Sequence, residues 1–336
     1  MKDVTLVLTT SPFLRSPHDT RWIMWQVNLS LLPIVLAAVY YFGMSALLIV
    51  ACATAGAVFP EWLQNRARGI TTVTDGSAVI TGVLVGLTLP PSLPLWMAFA
   101  GGALAIVLGK LLFGGLGQSV FNPALVGRAF LQAAFPEAMT TWSTPNQGFF
   151  ALPSRLFAPP FLRADADTIT SATPLAEMKF EGQFASLPDL LFGTTSGSLG
   201  ETAGLLILAA GAYLALRRVL NWRIPIGIFV TVYAFGAVLH AVDPVTYPSG
   251  LFHLFAGGLM LGAVFMATDP VTSPNSHLGC WVFSVGIGIL VVVIRMFGGL
   301  PEGVMYAILL MNAVTPLINR ATQPRTFGTA RRARWK

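Results

Sequence analysis

Long apolar runs, interrupted by glycine, proline and short polar strings, occupy most of the chain from residue 24 to residue 319. At helical period and length they predict spans at about 24–43, 44–60, 78–89 and 94–112, then a glycine-rich turn and a short fifth run ending near Pro136. Five more follow at about 202–220, 224–242, 250–267, 280–297 and 302–319. A hydrocarbon core of roughly 30 Å asks for about 20 residues of helix, and two runs fall short. Ala78 to Leu89 reaches only about 18 Å at 1.5 Å per residue. To cross, it has to borrow the Gly69 to Gly76 stretch, which sets Asp75 at or inside the interface. The second short run follows Phe113-Gly114-Gly115-Leu116-Gly117-Gln118 and opens on Asn122-Pro123. That order predicts unwound backbone leading into a half-helix, tolerated at membrane depth only where protein or a cavity surrounds it. The fold class expected is an all-α polytopic membrane protein of about ten transmembrane helices.

Composition supports this reading: 54% of residues are hydrophobic and only 10% charged, against about 25% charged in a soluble domain. The net charge of +6 would suit nucleic acid if it formed a patch. Instead the basic residues flank the apolar runs, so they act as topology signals and no nucleic-acid partner is expected. With the amino terminus inside, Arg66, Arg68, Lys110, Arg217, Arg218, Arg223 and the tail arginines all fall on the cytoplasmic side. The connections near 91–93, 243–249 and 298–302 carry no Lys or Arg. Both termini are therefore expected in the cytoplasm. Met1 to Asp19 is polar and lacks the apolar stretch of a cleavable signal peptide.

The domain organisation expected is a cytoplasmic arm at 1–22, a first five-helix repeat at 23–135, a periplasmic segment at 136–200, a second repeat at 201–319 and a basic cytoplasmic tail at 320–336. Phe113-Gly114-Gly115-Leu116 returns as Phe297-Gly298-Gly299-Leu300, each between a fourth and a fifth span and each preceded by a basic residue, Lys110 or Arg295. Five spans separate the copies, an odd number, so the halves would run in opposite directions as an inverted repeat with broken half-helices. A secondary transporter or channel is built this way too, but no substrate-specific cluster of charges lines a span here. Cys52 and Cys280 stand far apart, and His18, His240, His253 and His277 are scattered, so no metal or iron–sulfur spacing is visible. Asp75, Arg128, Asp269 and Arg295 sit near span ends. For Arg295 the expectation is snorkelling or an interfacial cap. Asp75 and Asp269 are expected beside the broken helices, where they would hold a flavin or cation or line an ion path.

One stretch of the polar segment carries candidate chemistry: Asp167-x-x-Thr170-Ser171-Ala172-Thr173-Pro174-Leu175. Read locally, Thr173 is an N-cap and Pro174 the first residue of a helix, and such a helix start offers free amides to a phosphate. The pattern is similar to the flavinylation motif D-x-x-[S/T]-G-A-T of the membrane subunits of the Rnf electron-transport complex and the sodium-pumping NADH:quinone reductase. Ser171 stands where that motif usually has glycine. The resemblance extends along the chain through Ser16-Pro17-His18, Thr74-Asp75-Gly76-Ser77-Ala78, Leu87-Thr88-Leu89-Pro90-Pro91, Phe121-Asn122-Pro123-Ala124, Ala267-Thr268-Asp269-Pro270-Val271 and Pro301-Glu302-Gly303-Val304. It implies the RnfD component of an Rnf complex in the bacterial inner membrane, relaying electrons between ferredoxin and NAD with movement of sodium ions or protons. It implies FMN bonded through its phosphate to the Thr173 hydroxyl, with Asp167, Thr170, Ser171 and Ala172 as the rest of the motif. Maturation by a flavin transferase, the other Rnf components (A, B, C, E and G) as partners, and surrounding membrane lipid are implied as well. Relatives also suggest a second, non-covalent flavin such as riboflavin among the broken helices, near Gly114, Gly115 and Asn122. Asn319 stands where relatives often carry an acidic residue.

Overall fold

The computed structural model describes residues 18–69, 71–143, 145, 148–150, 152–160, 172–193, 195–201, 204–244 and 246–324. Among these the regular elements are helices, with no β-strand. The first helix, α1 (Thr20–Phe42), starts where the Asp19 carboxylate accepts from the Trp22 amide at 2.9 Å. It stops at Gly43, whose φ of 68° turns the chain straight into α2 (Met44–Arg68). A Cβ at Gly43 would lie 2.5 Å from the Phe149 carbonyl oxygen, so this turn admits only glycine. Then come α3 (Ser77–Leu87), α4 (Leu95–Ile106), α5 (Pro123–Ala134) and α6 (Pro136–Met139), with α4 prolonged by a π turn over Val107–Leu111. The polar segment holds α7 (Pro174–Phe180) and α8 (Leu187–Phe192). Beyond it lie α9 (Gly204–Leu216), α10 (Arg223–Val242), α11 (Gly250–Phe255), α12 (Leu259–Leu261) with its π turn Gly262–Met266, α13 (His277–Phe297) and α14 (Val304–Ala321). By length and composition α1, α2, α10, α13 and α14 can each cross a membrane, and α3, α4 with its π turn, and α9 are shorter apolar helices. The chain is thus an all-helical polytopic membrane protein.

Three expectations are corrected by what is packed inside. First, α2 does not end at residue 60 but continues through Glu61 to Arg68. Glu61 is no loop residue: its carboxylate accepts from Lys110 Nζ at 2.8 Å on both oxygens, and the two side chains are 1% and 5% exposed. Lys110 also donates to Ser77 Oγ at 2.6 Å. It is an interior partner, and not the solvated topology signal its place near a span end suggested. Second, α3 does not borrow residues 69–76. A short 3-10 turn at Val73–Asp75 and a left-handed Gly76 separate it from α2, so it remains a half-helix of 11 residues. The following stretch, residues 88–93, is irregular and buried. Its Leu89 carbonyl, and the Leu87 carbonyl just before it, accept from the amides of Leu199 and Gly200 at 3.2 and 2.7 Å, which is how unwound backbone survives away from water.

Third, the run 250–267 is not one helix. It breaks between α11 and α12 at residues 256–258, where Gly257 has a φ of 68°. A broken helix leaves carbonyls without amide partners. Arg295 supplies them, donating from Nη1 to the His253 oxygen at 2.6 Å and from Nη2 to the Ala256 oxygen at 2.8 Å. Arg295 is fully buried, so it neither snorkels nor sits at an interface. Its cation closes the negative end of α11 from inside the bundle.

The two halves share part of their packing. In the first, α2 contacts α3 and α4, and α4 contacts α5; in the second, α10 contacts α11 and α13, and α13 contacts α14. Across the halves α1 meets α9 and α5 meets α14. The repeated Phe-Gly-Gly-Leu strings occupy equivalent places after α4 and α13 with different backbones: Gly114 and Gly115 have φ of 111° and 113°, whereas Gly298 is extended at −78°.

Candidate functional site

Thr173 stands at the entrance of α7 in extended conformation. Its Oγ1 accepts from the Ala176 amide at 3.2 Å, so the local reading of Thr-Pro as a helix start holds. The hydroxyl proton is not used by that cap. The side chain is only 3% exposed, and what it faces is a cavity of about 480 Å³, within the 300–1,000 Å³ range of small-molecule sites. The helix behind it is held to the bundle by Leu175 and Met178, packed with Leu190, Phe252 and Ala256. Burying two such side chains contributes roughly 3–6 kcal/mol before ordering costs. A second tether is Lys179, whose ammonium donates to the carbonyls of Arg295, Gly298 and Leu300 at the end of α13. Burial pulls the Lys179 pKa down, and burial with the neighbouring Glu181 charge pushes that of Glu177 up. So the motif is fixed on α11 and α13, the elements that Arg295 joins.

The cavity wall combines flat apolar faces with a few polar groups. Trp142, Phe180 and Tyr306 supply rings, Met139 and Met305 soft apolar surface, and Gln132 an amide. Arg128 on α5 and Glu302 before α14 also line it and form an ion pair with each other. A ring system with one hydrogen-bonding edge and a negative charge, tethered at Thr173, would find stacking faces, an amide and a guanidinium here. Those are the groups an FMN requires, and the residues present fit it. Ala172 lines the same cavity. Asp167, Thr170 and Ser171, expected to complete the motif, lie outside the described residues.

A second cavity of about 100 Å³ lies between the halves, bordered by Asn122, Asp269, Ser77, Lys110 and Thr268 together with apolar side chains of α1, α3 and α9. Asn122 caps α5, accepting from the Ala124 amide, while its amide nitrogen donates to the Met266 carbonyl at 3.0 Å across the halves. Asp269 closes a turn by accepting from the Val271 amide at 3.2 Å and Thr272 Oγ1 at 3.3 Å. Asp75 sits one residue removed from this cavity. Its Oδ1 accepts from the Ser77 amide at 2.8 Å and the Ser77 hydroxyl at 2.6 Å, and Ser77 in turn accepts from Lys110. Gly114 and Gly115 border neither cavity and belong to a turn that is exposed or half-buried.

Sequence reasoning missed Glu61, Glu201, Glu302 and the aromatic wall. Glu61 fell just past the expected end of the second span and Glu302 at the first residue of the expected span 302–319, so neither read as an interior carboxylate. An available signal was the scarcity of acids: in a chain with 14 Asp and Glu, any carboxylate inside an apolar run is costly and needs a partner. Trp142 and Tyr306 carry no local signal, because they lie far apart in the chain and only folding brings both to Thr173.

A family model described as the NQR2, RnfD, RnfE family matches residues 7–328. The chain is 45% identical to the D component of an ion-translocating oxidoreductase complex from Stutzerimonas stutzeri, over 94% of this chain and 93% of that one. It is 41% identical to the D component of the proton-translocating ferredoxin:NAD(+) oxidoreductase complex of Clostridium ljungdahlii, covering 98% of each. Identity is 40% to the Na(+)-translocating counterpart of Acetobacterium woodii, again over 98% of each.

Proposed function

We propose, from the premise that this chain belongs to the NQR2, RnfD, RnfE family, that it holds FMN covalently on Thr173 and relays electrons through a ferredoxin:NAD(+) oxidoreductase complex that moves sodium ions or protons. It is a membrane subunit of an oxidoreductase translocase, as its relatives are. The observation that carries the flavin reading is the position of the Thr173 hydroxyl: buried, with its proton left free by the cap, and facing a cavity with three aromatic side chains and a guanidinium. The bond would join Oγ1 to the flavin's phosphate: a flavin transferase would take the flavin phosphate from a dinucleotide-type phosphoanhydride donor, the anhydride P–O bond breaking, the nucleotide phosphate leaving and the Oγ1 proton passing to a base. FMN supplies the redox chemistry when bound. The residues would hold it: Arg128 and Gln132 would offer hydrogen bonds, and Trp142, Phe180 and Tyr306 would offer flat apolar faces.

In this reading residues 136–200 and the Thr173 cavity face the periplasm of a bacterial inner membrane, both termini lie in the cytoplasm, and the other Rnf components are the partners. The exposed Arg66, Arg68, Arg217, Arg218 and Arg320, at the ends of α2, α9 and α14, support that orientation. The cavity at Asn122 and Asp269, at about 100 Å³, is below the 300–1,000 Å³ of a small-molecule site and does not fit a second, non-covalent flavin such as riboflavin. The test is direct. Protein purified from its host is denatured, run on a gel and viewed for flavin fluorescence, and its Thr173 peptide is weighed. A fluorescent band lost in Thr173→Val and kept in Thr173→Ser is expected; fluorescence that persists in Thr173→Val rules out this attachment point.

A further inference from the structure

Behind the Arg128–Glu302 pair lies a second, much smaller space. It measures about 20 Å³ and is bordered by Arg128, Glu302, Arg295, Ser198, Thr88 and Gly258 with apolar neighbours. The ion pair is therefore a shared partition, one side facing the Thr173 cavity and the other facing this chamber. Around the chamber, buried polar atoms are left over. Ser198 is fully buried with its hydroxyl turned to Glu201, while Arg295 Nε, whose two terminal nitrogens are spent on α11, has no hydrogen-bond partner among the described residues. Glu201 has the same lack at Oε1. That oxygen lies against Gly258, where an added Cβ would be only 3.4 Å from it, and the Glu201 amide donates to the Ser198 carbonyl at 3.0 Å. Leaving such groups unpaired in the interior would cost about 1–3 kcal/mol each. A space of this size, with polar walls, has room for one water.

We propose that this chamber binds a single water which links Glu201 to the Arg128–Glu302 pair, and that Glu201 takes up a proton when the group in the Thr173 cavity gains an electron. Arg295 Nε donates to the water, Ser198 Oγ and the carboxylates complete its shell, and Arg128 is the charge both spaces share. The charged and titratable groups facing Glu201 are Arg128 from α5, Glu302 from the turn before α14 and Arg295 from α13. Tyr306 stands beside the pair and His253 beside Arg295. An electron arriving on the cavity group weakens the hold of Arg128 on Glu302, the negative charge of the cluster rises, and one proton from the aqueous phase binds a Glu201 oxygen. One electron enters, supplied by a reduced carrier of the complex, and one proton follows it; no other bond changes.

The proposal rests on the flavin reading, and the experiment separates the two. In the whole complex, flavin fluorescence of the denatured band is read first: a band without flavin ends the reading of Thr173. With flavin present, its midpoint potential is titrated across pH in wild type, Glu201→Gln and Ser198→Ala. Each tenfold change in proton binding moves a one-electron potential by about 59 mV. The part of the pH slope owed to Glu201 is expected to vanish in Glu201→Gln and to shrink in Ser198→Ala. Wild type alone gives a second measurement, needing no variant to fold: the reduced-minus-oxidised infrared spectrum should gain a carboxylic acid band that moves in D2O. Slopes identical in all three proteins, or a wild-type spectrum with no such band, overturn the relay.

Discussion

Lys110→Met is the perturbation whose magnitude follows most directly from the geometry. Lys110 Nζ donates to Glu61 Oε1, Glu61 Oε2 and Ser77 Oγ, at 2.8, 2.8 and 2.6 Å. Methionine keeps most of the stem volume and removes the charge. Glu61, 1% exposed, would then face only the Thr72 hydroxyl at 2.8 Å. An unpartnered buried carboxylate costs about 3–5 kcal/mol, whereas replacing both ions of such a pair by apolar side chains is often neutral or stabilising. The single variant should therefore lose a hundred-fold or more in folding equilibrium, at about 1.4 kcal/mol per decade. Glu61→Leu combined with Lys110→Met should recover to within about 1 kcal/mol of wild type. Denaturant unfolding in detergent micelles, followed by tryptophan fluorescence, reads all four corners of the cycle. A Lys110→Met protein within about 1 kcal/mol of wild type would refute the reasoning, as would a double variant no better than the single.

Other expectations are read the same way. Arg295→Met should strand the His253 and Ala256 carbonyls and cost roughly 2–6 kcal/mol, with hydrogen exchange accelerating first in α11; Arg295→Lys, with no planar fork, should fall between it and wild type. Gly257→Ala puts a Cβ 2.6 Å from Leu175 Cδ1 at a left-handed φ, costing about 1–2 kcal/mol for the backbone alone, and should loosen α7, seen as faster proteolysis beside Thr173. Because burial and Glu181 raise the Glu177 pKa, the folded state binds the extra proton, so this contribution is present below the ordinary value of 4.5 and lost as pH rises through the raised one. Glu177→Gln should flatten that part of the stability profile, and a steeper profile in the variant would contradict the sign.

What the chain encodes locally, it encodes clearly. Apolar runs longer than the hydrocarbon core is thick permit little besides helix, because backbone polar groups in lipid must be satisfied within the segment. Hence α1, α2, α10, α13 and α14 were legible, and so was the cap at Thr173, a matter of two adjacent residues. The short runs were legible as short, with Asn122-Pro123 announcing α5, but not the partner that rescues each break. Whether Arg295 snorkels or closes α11, and whether Lys110 meets solvent or Glu61, depends on which helices lie side by side, and a charge at a span end has the same pattern in both cases. The Thr173 cavity was illegible for the same reason. Its walls come from α5, α6, α7 and α14, and only tertiary packing sets Trp142, Arg128 and Tyr306 around one hydroxyl.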